Sequence, residues 1–269
     1  MLGIIGGGMM GEAIISGILD SHIYSSSQVF VSEPIKERRE YLKTKYGINT
    51  TENNLEVINN CRIIILAVKP QNIEEVLKEI SLNVREDQIY VSIAAGVPLK
   101  YLEKYLTRAR SIFRIMPNLP LIVRKGIITI TSNKYTEEDL KRVKEIFENL
   151  GKIWEIPEKY FNIITALTGS GPAFASLILQ GFTLAGVKKG LSYDLAKELT
   201  LQLFSGIVTL IEEKNYSFED LIKKTSSPGG TTIMGLEKFY SEGIIGVIME
   251  SITKAEERSR EIEEIFKEV

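Results

Sequence analysis

Apolar positions in the first half of the chain gather into short, nearly unbroken runs at residues 2–5, 28–32, 62–68, 88–93 and 111–115. Strands covered on both faces carry such runs, and they belong to parallel sheets flanked by helices. Between the runs, apolar residues recur at helical spacing over 12–20, 35–46, 73–80, 99–106 and 136–150. Pro98 suits the first turn of the fourth of these helices. The alternation predicts an α/β fold with a doubly wound parallel sheet. Residues 126–131 and 152–156 would complete it, with Trp154 filling the core at its edge.

After Pro157 the strand-like runs stop, and helical patterns follow at about 158–190, 193–213, 217–225, 231–241 and 244–268. The last sets Ala255, Ile262, Ile265 and Phe266 among Glu256, Glu257, Arg258 and Arg260, one apolar stripe on a solvated helix. The chain thus reads as an α/β domain over 1–157 and an all-α domain over 158–269. No charged residue occurs from Phe161 to Val187, a length that would span a bilayer. Gly169-Ser170-Gly171-Pro172 interrupts it, however, and residues 173–187 fall short of the roughly 20 that a span needs. The segment is expected to be a helix buried on most sides, in a core or a subunit interface. That predicts no membrane and a homodimer or a dimer-based higher oligomer.

The 269 residues, 44% hydrophobic and 25% charged, suit a soluble globular chain, and the net charge of −2 offers no basic stripe for nucleic acid. Cys61 is the single cysteine and leads into an apolar run, which reads as a small buried hydrophobe. His22, the single histidine, sits in a polar stretch and reads as a solvated loop residue. Histidine-based triads and Cys/His metal sets are therefore excluded. The first residues lack the basic-then-apolar pattern of a signal peptide, which predicts a cytoplasmic protein.

Candidate chemistry starts at the first strand. Gly6-Gly7-Gly8-Met9-Met10-Gly11 follows Leu2–Ile5 and opens a helix, so Gly6, Gly8 and Gly11 fit G-x-G-x-x-G in the context that motif requires. Its glycines provide a tight turn, close approach to a pyrophosphate and helix-on-strand packing. The following helix start adds amide donors. A Rossmann-type dinucleotide site is expected there. At the end of the second run, Glu33 could accept the ribose 2′-hydroxyl of NAD. Ser32 with Lys36, Arg38 and Arg39 could instead hold the 2′-phosphate of NADP. The residues leave both open, with a slight balance toward NADP (NADPH) over NAD (NADH).

From Ala67-Val68-Lys69-Pro70-Gln71 onward the chain resembles the pyrroline-5-carboxylate reductases. The resemblance runs through Ser92–Val97, through Arg114-Ile115-Met116-Pro117-Asn118, and through residues 165–173 and 185–191. It is sharpest at Ser226-Ser227-Pro228-Gly229-Gly230-Thr231-Thr232-Ile233-Met234-Gly235-Leu236. The family implies a Rossmann domain, a helical dimerisation domain, and an active site at their junction, partly built across the dimer. It also implies cofactor contacts at Gly6, Gly7, Gly8, Met9, Met10, Gly11, Ser32, Asn54, Ala67, Val68, Lys69, Pro70, Ala95 and Gly96. The nicotinamide would lie near Met116 and Asn118, with Asn118 also toward the substrate. Asn54 rests on the resemblance alone; by itself Asn53-Asn54 reads as a loop and capping pair. Lys69 reads equally well as a surface lysine.

The implied substrate, 1-pyrroline-5-carboxylate, is a cyclic imine bearing a carboxylate, and its reduction yields L-proline. Ser226 to Gly230 stops one helix, and Thr231-Thr232 starts another whose exposed amides suit a carboxylate. Gly229 and Gly230 admit close approach, Ser227 and Thr231 add hydroxyl donors, and Thr232 matches the family's hydroxyl beside the imine nitrogen. A hydroxyl is too weak an acid to protonate that nitrogen strongly, so an iminium substrate or a water is expected to supply the proton. Leu119, Leu121 and Thr168 depart from the family's usual threonine, alanine and serine. The rival readings are a β-hydroxyacid dehydrogenase, which needs a lysine that residues 161–187 lack, and a non-catalytic dinucleotide-binding protein.

Overall fold

A computed structural model describes residues 1–267. Its strands are β1 (Leu2–Ile5), β2 (Val29–Ser32), β3 (Asn49–Thr51), β4 (Ile63–Leu66), β5 (Ile89–Ser92), β6 (Ser111–Met116), β7 (Gly126–Lys134) and β8 (Gly151–Glu155). They form one sheet in the order β3-β2-β1-β4-β5-β6-β7-β8. β1 to β6 are parallel; β7 runs antiparallel to β6, and β8 is parallel to β7. The connecting helices are α1 (Met9–Asp20), α2 (Lys36–Tyr46), α3 (Asn54–Asn60), α4 (Ile73–Ile80), α5 (Leu99–Tyr105) and α6 (Glu137–Glu148).

The unbroken apolar runs are explained by burial on both faces. Ile4, Ile65 and Val91 pack on one side with Ile14, Ile18, Val143 and Phe147. Their neighbours Ile5, Ile64 and Tyr90 pack on the other side with Val57, Leu77 and Leu102. Fully burying each such aliphatic side chain contributes about 1.5–3 kcal/mol. Cys61 is buried as expected and His22 is exposed. Burial pushes the Cys61 thiol up to about 11, which keeps it protonated and unreactive near neutrality.

Several expectations change. The pattern missed β3 and α3, which lie in the polar stretch after Tyr46. The first helix begins at Met9, three residues before its apolar periodicity is evident. Trp154 does not fill the core and is 43% exposed. Successive residues on a strand face opposite ways. Ile153 packs on the core, so Trp154 turns to the other side of the sheet's outermost strand.

The remaining helices are α7 (Phe161–Ile164), α8 (Gly171–Lys188), α9 (Tyr193–Lys214), α10 (Phe218–Thr225), α11 (Thr231–Ser241) and α12 (Ile244–Ile265). Gly169 to Pro172 does not break the charge-free segment as expected. A π-turn over Thr165–Gly169 carries the helical path on, and Pro172 falls in the first turn of α8, where its missing N–H costs nothing. Packing divides the chain into one unit of Met1–Gly169 plus the segment from Lys254, and a second of Ser170–Thr253.

In the second unit α8 packs on α9, with Phe182 edge-on to Phe204 at 5.1 Å between centroids. Yet Thr183 is the only buried residue of α8, and Leu177 is 68% exposed. Burial within the chain's own core is therefore not what keeps this helix uncharged. Glu158–Lys188 is, among the described residues, the one helical run long and apolar enough to cross a membrane.

Candidate active site

The strand order reverses between β1 and β4, and in open α/β sheets ligands bind in the crevice at such a point, beyond the strands' carboxyl ends. Both adjoining ends carry expected site residues. After β1 the chain turns at Gly6, whose φ of +106° is open to glycine; a Cβ there would lie 2.7 Å from the Ala67 carbonyl oxygen beyond β4. A Cβ at Gly11 would collide with the Gly6 carbonyl oxygen. Gly8 differs: no protein atom lies within 4 Å of a Cβ built on it, and no side chain caps the helix that follows. Open space beside uncapped amides fits a pyrophosphate.

The end of β2 is arranged differently from either cofactor expectation. Glu33 is only 7% exposed, and its carboxylate is turned under the glycine turn. One oxygen accepts from the Gly7 N–H at 2.9 Å and the other from the Ile35 N–H at 3.1 Å. Both carboxylate oxygens are thus engaged within the chain. Arg38 and Arg39 are also engaged. Arg38 Nε donates to the Gly7 carbonyl at 2.6 Å and an Nη to Glu12 at 2.5 Å. Arg39 donates to the carbonyls of Glu33 and Pro34 and to Glu52. Lys36 stays exposed.

Ser32 and Asn54 meet, with Ser32 Oγ donating to Asn54 Oδ1 at 2.6 Å. Asn54 Nδ2 donates to Glu79 at 2.7 Å. Asn53 caps α3 through the Leu55 N–H, as its residue type suggested.

Glu12, on α1, was not foreseen as part of this region. Burial raises its pKa, but bonds from Lys45, Arg38, Tyr46 and Tyr41 outweigh that and hold it at about 2. The same contacts, led by those to Tyr41 and Glu12, push the Lys45 ammonium up. This cluster ties α2 to the start of α1, just behind the glycine turn. The i, i+4 spacing of Tyr41 and Lys45 was its only sequence signal.

Beyond β4, Ala67 and Val68 leave the sheet half-buried. Lys69 is exposed, and Pro70 starts a single 3-10 turn. Beyond β5, Gly96 holds φ +77° beside half-buried Ala95. Met116 ends β6, and its Cε would be 2.6 Å from a Cβ on Gly169. Asn118 is 5% exposed. Its Nδ2 donates to the Thr168 carbonyl at 3.1 Å, and its Oδ1 accepts from the Ile127 N–H at 2.8 Å. It braces this edge of the site. Leu121 is buried in the core, and Leu119 is 46% exposed.

In the second unit, Gly229 takes φ +69°, and the Gly230 N–H donates to the Ser227 carbonyl at 3.0 Å, closing the turn. α11 then opens at Thr231 with no side-chain cap. The hydroxyls of Ser227, Thr231 and Thr232 have no hydrogen-bond partner among the described residues. The loop is thus a set of unpartnered hydroxyls, exposed at Ser227 and Thr231 and half-buried at Thr232, around a helix start, suited to a small anion with a polar partner.

The sheet, its glycine turn and the open space at Gly8 define a dinucleotide-dependent oxidoreductase, joined to a helical unit that presents the hydroxyl loop. Comparison with known proteins gives the family. Residues 158–262 match the model for pyrroline-5-carboxylate reductase dimerisation, and residues 1–96 match that for NADP oxidoreductase, coenzyme F420-dependent. The dimerisation match begins at residue 158, whereas packing groups residues 158–169 with the sheet. A pyrroline-5-carboxylate reductase of Synechocystis sp. is 36% identical, covering 97% of each chain. One of Aquifex aeolicus is 33% identical, again covering 97% of each. The Plasmodium falciparum pyrroline carboxylate reductase, solved with NADP bound, superposes with a TM-score of 0.90 at 33% identity, covering 97% of each chain. The chain belongs to the pyrroline-5-carboxylate reductase family.

Proposed function

We propose that this protein reduces the C=N bond of 1-pyrroline-5-carboxylate to L-proline with NADPH in preference to NADH. The observation that carries the reaction is the uncapped hydroxyl loop Ser227–Thr232 in a chain that also holds an intact dinucleotide turn. A bound nicotinamide supplies the hydride. The uncapped amides at the start of α1 hold the pyrophosphate, with Gly8 leaving room for it. Ala67 to Pro70 and Ala95-Gly96 line the way toward Met116.

The free amide of Thr231 with the Ser227 hydroxyl binds the substrate carboxylate, and Thr232 Oγ1 holds the ring nitrogen. Because a threonine hydroxyl is a poor acid, the imine reacts as its protonated form, or a water donates through Thr232. Orientation of the ring carries most of the acceleration. The NADPH preference is supported by the inward turn of Glu33, whose carboxylate is taken by the Gly7 and Ile35 N–H groups.

The exposed apolar faces of α8 and α9 are covered by a second copy of the chain, with the active site shared between copies; the dimerisation-model match supports this reading. The test is NAD(P)H oxidation with 1-pyrroline-5-carboxylate. Wild type turns over; Thr232→Ala loses kcat by about a hundredfold or more while still binding cofactor, and Thr232→Ser retains most activity. A well-folded wild type that oxidises neither cofactor overturns the assignment. Sedimentation of dilute protein is expected to give a dimer or a multiple of one, and an active monomer would overturn the shared site.

A further inference from the structure

Ile262, near the end of α12, lies directly over the turn that follows β5. A Cβ on Gly96 would meet Ile262 Cγ2 at 2.6 Å and Ile262 Cβ at 3.3 Å. Gly96 is also at φ +77°, a conformation that glycine adopts without strain and that a residue with a Cβ would resist.

The helix end that carries Ile262 is seated by a closed set of polar contacts. Ser259 Oγ donates to Asn162 Oδ1 at 2.8 Å, and Asn162 Nδ2 donates to Glu263 Oε2 at 2.9 Å. Glu263 faces an Nη of Arg114 at 3.8 Å. Arg114, its side chain 3% exposed, stacks on Phe161 at 4.8 Å and donates to Glu158 Oε1 at 2.8 Å. The same Glu158 oxygen accepts from the Leu99 N–H at 2.7 Å, fixing the start of α5. One turn further, Phe266 meets Tyr101 of α5 edge-on at 5.0 Å. Ser259, Ile262, Glu263 and Phe266 fall at i, i+3, i+4 and i+7, one face of the helix. A buried arginine and its carboxylates tolerate loss of a partner poorly, so this seat is fixed rather than sliding.

We infer that the end of α12 is a positioning element for the cofactor. Ile262 packs against the Ala95–Gly96 turn and limits its displacement, and the Arg114–Glu263–Asn162–Ser259 set fixes the height of Ile262 above it. Affinity for the nicotinamide nucleotide therefore depends on a segment that does not touch it. The inference rests on the reading of Ala95–Gly96 as a cofactor-facing turn.

The test is steady-state kinetics on the full chain, with cofactor affinity read separately by nucleotide fluorescence. Ile262→Ala is expected to raise KM and Kd for NADPH by about tenfold, leaving KM for the imine within about twofold. Glu263→Gln shifts the same constants in the same direction by less, and carries the measurement if Ile262→Ala fails to fold. Ile265→Ala, at a position 60% exposed on the same helix, leaves them unchanged. Gly96→Ala is expected to cost less cofactor affinity in the Ile262→Ala background than in wild type, because the 2.6 Å clash with Ile262 Cγ2 is gone. Unchanged cofactor constants in Ile262→Ala and Glu263→Gln, an equal shift in Ile265→Ala, or an equal cost of Gly96→Ala in both backgrounds overturns the inference. Inactivity of wild type would instead overturn the functional reading.

Discussion

Glu33 separates two accounts of how this chain handles its cofactor. Its carboxylate accepts from the buried Gly7 N–H at 2.9 Å and from the Ile35 N–H at 3.1 Å. Hydrogen bonds to a charged group contribute about 1.5–3 kcal/mol each, less where water can replace the acceptor, as it can at Ile35. Glu33→Ala should therefore destabilise the fold by about 2–4 kcal/mol. Glu33→Gln should cost about 1–2 kcal/mol, because its amide oxygen can still serve Gly7 while its NH2 opposes the Ile35 N–H. Both variants loosen the glycine turn, which every nicotinamide nucleotide uses. KM for NADPH and for NADH should therefore rise by the same factor, their ratio holding within about twofold. A Glu33 that reached the ribose diol would behave otherwise: its loss would weaken NADH alone, by about tenfold for each 1.4 kcal/mol, and would leave or improve NADPH. Urea unfolding of the two variants, followed by NAD(P)H oxidation with each cofactor, reads both quantities. A selective loss on NADH with unchanged stability refutes the inward role of Glu33.

Gly8→Ala is expected to leave the unfolding midpoint unchanged or slightly raised. Its φ of −66° suits any residue, and the added methyl meets no protein atom within 4 Å. The same methyl fills the space of the pyrophosphate, so KM for either cofactor should rise at least about tenfold; an unchanged KM would place the phosphates elsewhere. Glu12, held at about 2 against an ordinary 4.5, favours the folded state above pH 4.5. That contribution is lost as pH falls through about 2. After allowance for solvent around Lys45 it amounts to about 1–2 kcal/mol. Glu12→Gln should flatten the loss of stability between those two pH values, and an identical acid limb in the variant would show that the four bonds contribute nothing net.

The parallel sheet and the glycine turn were legible because each is written locally. Ile63 to Leu66 is a short, mostly β-branched run that suits a strand covered on both faces, and Gly6 to Gly11 takes a turn that its residue type itself permits. The Ser227–Thr232 loop was locally legible only as a helix stop followed by a helix start; its reading as a substrate site came from the family resemblance. Less legible were the partners of side chains that have several to choose from. Glu33 sits where an NAD site places its acidic residue, but the Gly7 N–H, from a turn 26 residues away, claims it. Asn118 matches a family motif next to the expected nicotinamide, yet Thr168 and Ile127 use both ends of its amide. Trp154 reads as core until the outermost position of β8 leaves one of its faces bare. β3 and α3 were missed because three polar residues paired to β2, and a seven-residue helix capped by Asn53, carry almost no periodicity of their own.

The charge-free helix shows the division most clearly. Its sequence determines that it must be covered, since an apolar face of that length is not left in water. Only the tertiary structure shows that the chain's own core does not cover it, because α9 takes one side and the rest stays exposed. Likewise the sequence by itself determined a glycine turn between strand and helix and a helix start rich in hydroxyls, both properties of short segments. The tertiary structure decided which groups those segments have free to offer, because hydrogen-bond partners are allotted between residues far apart in the chain.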